Sequence, residues 1–336
     1  MTLPHRLEEL IRHNHDANSF ELFARFAFLV VCLGGCGMLW HFAPIDPRDK
    51  RSAAAAGIVH FVIASCIELL VVNRVYTYRF THHMLWGVPF DVQLAWAILW
   101  GTGLCIAWRS VHGVWKSVLL CAVVFGTLGL DFAALKSGAV FMPLTPVWWA
   151  WDAGALIVIM LGTLGFYQLI LEHRALYLRA IVYGVAYAFI FYLLLPALIL
   201  TFSRSQSEIT AILQPPFLIA LIVCSIPGVI AAVQFALEGD GSPVPMDPTR
   251  KLVTTGCYAY VRNPMQLSGL AAAVVWALAA GSWVLWFYVV DLAILLQLTK
   301  AYEDHELTER FGEEFERYRN AVRMWIPRLT AYRKQA

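Results

Sequence analysis

The sequence predicts an all-α, polytopic integral membrane helix bundle, and three observations predict it. Of its 336 residues, 60% are hydrophobic and only 14% are charged, whereas a soluble domain carries about 25% charged residues. The apolar residues come in blocks, each matching a bilayer span of roughly 20 residues. Lys and Arg gather in the connections and the C-terminal tail rather than in the blocks. Such a chain lacks the polar side chains to cover a water-facing surface, and open-chain backbone in lipid satisfies itself only as helix. Membrane lipids are therefore its surroundings, and a net charge of +2 is too small to suggest a nucleic-acid partner.

In chain order, residues 1–19 are polar and lack a cleavable signal pattern. Apolar blocks follow at about 20–42, 53–73, 88–108, 114–135, 147–171, 177–202 and 212–237, which gives about seven spanning helices. A polar stretch covers Glu238 to Asn263, and an apolar block from Met265 to Leu298 is interrupted at Gly281-Ser282. At 1.5 Å per residue either half is short for a span. A C-terminal helical hairpin entering and leaving on one side fits, and two tight spans give the same sidedness. Over 303–320, Leu307, Phe311, Phe315 and Tyr318 recur at spacings of four, four and three, the pattern of an amphipathic tail helix.

Eighteen of the 25 Lys and Arg residues lie in the tail or in the connections on its side, among them Arg48, Arg109, Arg174, Arg250 and Arg262. The positive-inside rule makes that side cytoplasmic. Six of the seven cysteines lie in apolar blocks and none forms a CxxC pair, so they read as small packing residues rather than a disulfide framework. His82-His83 and His13-x-His15 lack the spacing of a zinc helix, and no metal is expected.

The residues suited to chemistry flank the hairpin. Before it stands RKLVTTGCYAYVRNPMQLSG (250–269), and after it KAYEDHELTERFGEEFERYRNAVRMWIPR (300–328). A hairpin returns the chain to its starting side, so the two strips meet at one interface. Pro264 bars helix upstream and is tolerated at a helix start. Arg262 and Asn263 then lie in extended chain at a helix N-terminus, whose N–H groups lack carbonyl partners, opposite Glu303, Asp304 and Glu306. Taken alone, these charges read equally as interfacial salt bridges, and Tyr258 and Tyr260 as interfacial anchors.

The ordered set Leu252-Val253, Gly256-x-Tyr258, Arg262-Asn263-Pro264, an apolar hairpin, Glu303-Asp304 and Phe311-Gly312 resembles the isoprenylcysteine carboxyl methyltransferases and related phospholipid methyltransferases over roughly residues 238–328. The lead-in GDGSPVPMDPTRKLV is similar to that of bacterial members, which implies a bacterial inner membrane. The resemblance implies an S-adenosylmethionine-dependent integral membrane methyltransferase acting on a hydrophobic or lipid-attached acceptor. It divides the chain into N-terminal transmembrane helices (1–171) and a methyltransferase-like domain (172–336). It further implies that Leu252 and Val253 contact the cofactor by backbone or packing and Tyr258 by its side chain. Asn263, Pro264, Met265 and Gln266 would form the pocket floor, and Glu303, with Asp304 beside it, would bind a polar end of the cofactor. Arg262 and Glu303 are the expected catalytic pair, with Arg262 or Lys300 holding an anionic acceptor. Asn263 stands where the family commonly has His, Gln266 where it has Tyr, and Asp304 is a shorter second acid.

Charge inside lipid is expensive and by default functional. Glu68 and Asp131 lie deep in their blocks, Asp91 and Asp152 lie near block ends where they can snorkel, and Asp291 lies in the hairpin's second arm. These acids carry the alternative reading, a non-catalytic transporter or assembly protein that retains a degenerate methyltransferase module.

Overall fold

The computed structural model describes residues 3–79, 85–137, 141–203, 210–241 and 249–333. It forms two compact units, Met1–Glu172 and His173–Ala336. Eight of the described helices are long and apolar enough to cross a membrane, so the polytopic all-α bundle read from the sequence is the observed architecture.

Unit one holds α1 (Leu3–Phe42), α2 (Pro47–Val71), α3 (Phe90–Ser110), α4 (Val114–Ser137) and α5 (Trp148–Leu171). Asp46 starts α2 by accepting the Arg48 N–H at 2.7 Å, with Pro47 at the first helical position, where its missing N–H costs nothing. The middle of α3, Ala97–Gly103, is π-helical. Two short strands, β1 (Tyr76–Tyr78) and β2 (Phe141–Pro143), pair antiparallel. The core of the unit is built from Ala53, Ala56, Leu104, Cys105, Ile106, Met160, Leu164 and Tyr167.

Unit two holds α6 (Leu176–Phe202), α7 (Pro215–Leu237), the hairpin α8 (Pro264–Ala280) and α9 (Trp283–Phe311), and a short α10 (Glu313–Ala321). The hairpin turns at Gly281-Ser282, with Gly281 in the left-handed region at φ +61°, where a side chain would be strained. The amphipathic stretch expected over 303–320 is two helices, because Gly312 at φ +54° breaks the chain. Residues 303–311 are the last turns of α9, and the tail helix proper is α10.

The middle of α6, Ala188–Leu194, is π-helical and leads into Pro196, which has no N–H to give. The carbonyls of Phe191 and Tyr192 are served from the hairpin instead. Trp276 Nε1 donates to Tyr192 O at 2.7 Å, and the Tyr288 hydroxyl donates to Phe191 O at 3.3 Å. Leu200, Ile212, Val275, Trp276, Ala277 and Leu285 form the core beside these bonds.

Candidate functional site

The site grows from the end of α7. Gln234, one turn before that end, accepts the Cys257 N–H through Oε1 at 3.1 Å, and the Thr255 hydroxyl donates to the Glu238 carboxylate. These bonds lay residues 255–258 against the helix. The approach is close enough that a Cβ on Gly256 would stand 1.5 Å from Gln234 Nε2. The following 3-10 turn, Gly256–Ala259, carries the Tyr258 ring onto Phe235 with centroids 5.0 Å apart. Tyr258, Val253 and Ala231 are buried together, with Met265 and Cys257 packed around them.

The C-terminal tail laces onto the next few residues through the backbone. The Tyr318 hydroxyl donates to Tyr258 O at 2.7 Å. The N–H groups of Tyr332 and Arg328 donate to Ala259 O and Tyr260 O at 2.8 and 2.9 Å, and the Arg262 N–H donates to Arg323 O at 3.1 Å. This lacing holds Arg262 and Asn263 in non-helical chain up to Pro264, the first residue of α8.

The two strips flanking the hairpin therefore meet. Arg262 Nη1 donates to both oxygens of Asp304, at 3.1 and 3.0 Å. Lys300, buried near the end of α9, pairs with the half-buried Glu303. Burial holds the Tyr258 phenol well above the ordinary tyrosine value, and the Tyr318 phenol and Glu303 carboxylate add to the effect. Tyr258 is thus a neutral hydroxyl that can donate and accept. Burial also raises Tyr318, against the pull of the Arg262 cation.

Three buried polar atoms here lack a hydrogen-bond partner: the Tyr258 hydroxyl, Arg262 Nε and Asn263 Nδ2. Asn263 caps α8 by position, yet its side chain makes no capping bond. An unmatched buried polar group costs about 1–3 kcal/mol, and all three belong to the short stretch 258–263.

The remaining residues singled out in the sequence divide. Leu252 packs instead against Phe315, Tyr318 and Val322, Gln266 is half-buried, and Asp291 is exposed on α9. A groove of about 470 Å³ opens beside Leu252, lined by Glu238, Arg250, Lys251, Thr254, Thr255, Phe311 and Glu314. Its walls do not include Tyr258, Asn263 or Glu303. Residues 242–248 of the Pro-rich lead-in lie outside the described residues, as do His82 and His83. Sequence reasoning missed Gln234 and Tyr318. A glutamine near the end of an apolar helix was the only signal for the first, and the second counted only as one member of an apolar stripe.

In unit one Glu68 accepts the Tyr76 hydroxyl at 2.9 Å and the Tyr78 hydroxyl at 3.2 Å. Asp152 is half-buried near the start of α5, and its buried Oδ2 makes no hydrogen bond. Asp91 does more than snorkel, since Arg25 Nε donates to it at 2.9 Å.

Residues 219–314 match the phospholipid methyltransferase family. The matched phospholipid methyltransferase segment runs from within α7 through the hairpin to the start of α10. It contains Val253, Tyr258, Arg262, Asn263, Lys300, Glu303 and Asp304, and it excludes all of unit one. No curated protein and no solved structure matches the chain.

Proposed function

We propose that this protein is an S-adenosylmethionine-dependent methyltransferase of the membrane, acting on a membrane-embedded or lipid-attached acceptor, with its site at the cytoplasmic face. The single observation that carries the reading is the junction of the two strips at Arg262 and Asp304, inside the segment that matches phospholipid methyltransferases. The unpartnered Tyr258 hydroxyl, Asn263 Nδ2 and Arg262 Nε stand beside it.

The residues present fit the cofactor. It has a cationic sulfonium and ammonium, a carboxylate and a flat adenine. Glu303 offers a carboxylate to the ammonium, Asn263 Nδ2 and Arg262 Nε are free donors for the carboxylate, and Tyr258 with Val253 and Met265 is a wall of the kind adenine favours. When bound, the cofactor supplies an electrophilic methyl group. The chain's own work is then to hold the groups in line and exclude water, since close alignment contributes more to such a displacement than an acid or base does. Asp304 positions Arg262 by occupying Nη1 and leaving Nε free, and Lys300 does the same for Glu303.

Calorimetry on the purified protein tests the reading. Wild type should bind S-adenosylmethionine, and Glu303→Ala should weaken binding by about 1.5–3 kcal/mol, as for the loss of a charge-assisted bond. Labelled methyl should pass from the cofactor into a membrane lipid extract. A wild-type protein that takes up no cofactor overturns the assignment.

A further inference from the structure

Two tyrosines of α6, Tyr187 just before its π-helical part and Tyr192 within it, take no part in the site described above. The Tyr187 and Tyr192 rings meet edge to face at 5.8 Å, and Phe191 lies 4.6 Å from Tyr187. Both tyrosines are half-buried within unit two. Among the described residues, the hydroxyls of Tyr187, Tyr192 and Ser268 make no hydrogen bond.

All three hydroxyls gather at two glycines on facing helices. A Cβ on Gly269 of α8 would stand 2.6 Å from the Tyr187 hydroxyl and 3.7 Å from the Tyr192 ring. One on Gly228 of α7 would stand 3.1 Å from Ser268 Oγ and 3.5 Å from the Tyr192 hydroxyl. A side chain at either position would press on these groups, so the glycines are what let the hydroxyls approach the two helix backbones.

Two helices independently fix the depth of this place. Met265 packs on Tyr258 and Val253, and Gly269 follows it by four residues, on the same face and about 6 Å further along α8. Ala231 belongs to the same buried cluster, and Gly228 precedes it by three residues, one turn deeper along α7. The hydroxyls thus lie directly beneath the Tyr258 cluster, between the same two helices.

Phenylalanine at 187 or 192 would bury an equal ring without bringing an unmatched hydroxyl into an apolar span, where such a group is costly. The groups that meet at these hydroxyls are the two tyrosine rings, Ser268 and the two glycines. No charged side chain is among them. An ammonium or carboxylate placed here would be an unpaired charge in lipid, whereas an uncharged hydroxyl finds donors and acceptors in all three neighbours.

We propose that Tyr187, Tyr192 and Ser268 form a specificity seat for the head of an uncharged, hydroxyl-bearing lipid, one helical turn below the cofactor residues. The seat rests on the methyltransferase reading for its meaning, since it determines which lipid is presented to the methyl group. It binds and orients that lipid and takes no part in the transfer.

Diazirine analogues of hexadecanol and hexadecanoate, photolysed with the full-length protein in nanodiscs and mapped by mass spectrometry, test it. The alcohol should label peptides carrying Tyr187–Tyr192 and Ser268-Gly269 more strongly than the carboxylate does. Tyr187→Phe with Tyr192→Phe should cut alcohol labelling by about five-fold for each hydroxyl lost, the factor expected for a neutral hydrogen bond, while calorimetric affinity for S-adenosylmethionine stays unchanged. Gly269→Ala should cut it as well, by displacing the Tyr187 hydroxyl. Equal labelling by the carboxylate overturns the seat on the wild-type protein alone, and so does full labelling of the double variant. If wild type binds no cofactor but the labelling pattern holds, the methyltransferase reading fails and the lipid seat stands.

Discussion

Gly256 shows how one residue sets the geometry of the site. Its φ of +51° lies where an L side chain costs about 1–2 kcal/mol, and a Cβ would also collide with the Gln234 amide that holds Cys257. Gly256→Ala should therefore displace Gln234, free the Cys257 N–H and let Tyr258 drift off Phe235. The expected outcome is a fall in S-adenosylmethionine affinity of about ten-fold, on the order of 1.4 kcal/mol, with helical content unchanged by circular dichroism. Unchanged affinity would show that the 255–258 turn does not position Tyr258. Gly256, Tyr258 and Asn263 were legible in the sequence because they recur as a short ordered set. Gln234 was not, because its contact with residues 256 and 257 depends on a chain reversal through a polar stretch whose path no local pattern fixes. The three unpartnered atoms were equally invisible, since a sequence records which donors exist and not which ones go unmatched.

Among the elements, the hairpin's turn at Gly281-Ser282 was legible, but only the first arm is short, since the second runs from Trp283 to Phe311 and is long enough to cross a membrane. The tail helix was only half legible. The apolar stripe at 307, 311, 315 and 318 runs across Gly312 without losing phase, so periodicity alone cannot detect a break that depends on one backbone angle. Nor did the sequence reveal how α6 is tied to the hairpin, although Pro196 was the clue. The chain places Trp276 and Tyr288 as donors to the carbonyls of Tyr192 and Phe191, the residues left short by a π-turn running into proline. Trp276→Phe should keep most of the apolar packing but orphan Tyr192 O, lowering stability by about 1–3 kcal/mol, read as a drop in thermal midpoint. Pro196→Ala restores an N–H to that carbonyl and should recover part of the loss in the double variant, as coupling between two groups serving one acceptor requires. Strict additivity of the two changes would show that the tryptophan is merely packed.

For the molecule as a whole, the decisive fact is that the segment matching phospholipid methyltransferases lies entirely within the second unit. That unit also contains the Arg262–Asp304 bond, the Tyr258 cluster and the tyrosine seat. Each unit closes its own core: Ala53 to Tyr167 in the first, and Leu200, Val275, Trp276 and Leu285 in the second. The polar features of the first unit, the Glu68 acceptor of two tyrosines and the Arg25–Asp91 pair, involve no residue of the matched segment. Cofactor binding should accordingly survive removal of residues 1–172. A chain comprising residues 173–336, expressed alone in membranes and purified in detergent, should bind S-adenosylmethionine within a few-fold of the full-length affinity. Methyl transfer into lipid extract can still fall, because the first unit is free to govern which lipids reach the site. Retained binding with lost transfer would place acceptor delivery in the N-terminal helices and make Glu68→Gln the next variant to assay. Loss of cofactor binding in a folded second unit would mean that the two strips around the hairpin are not sufficient, and the site would have to be redrawn.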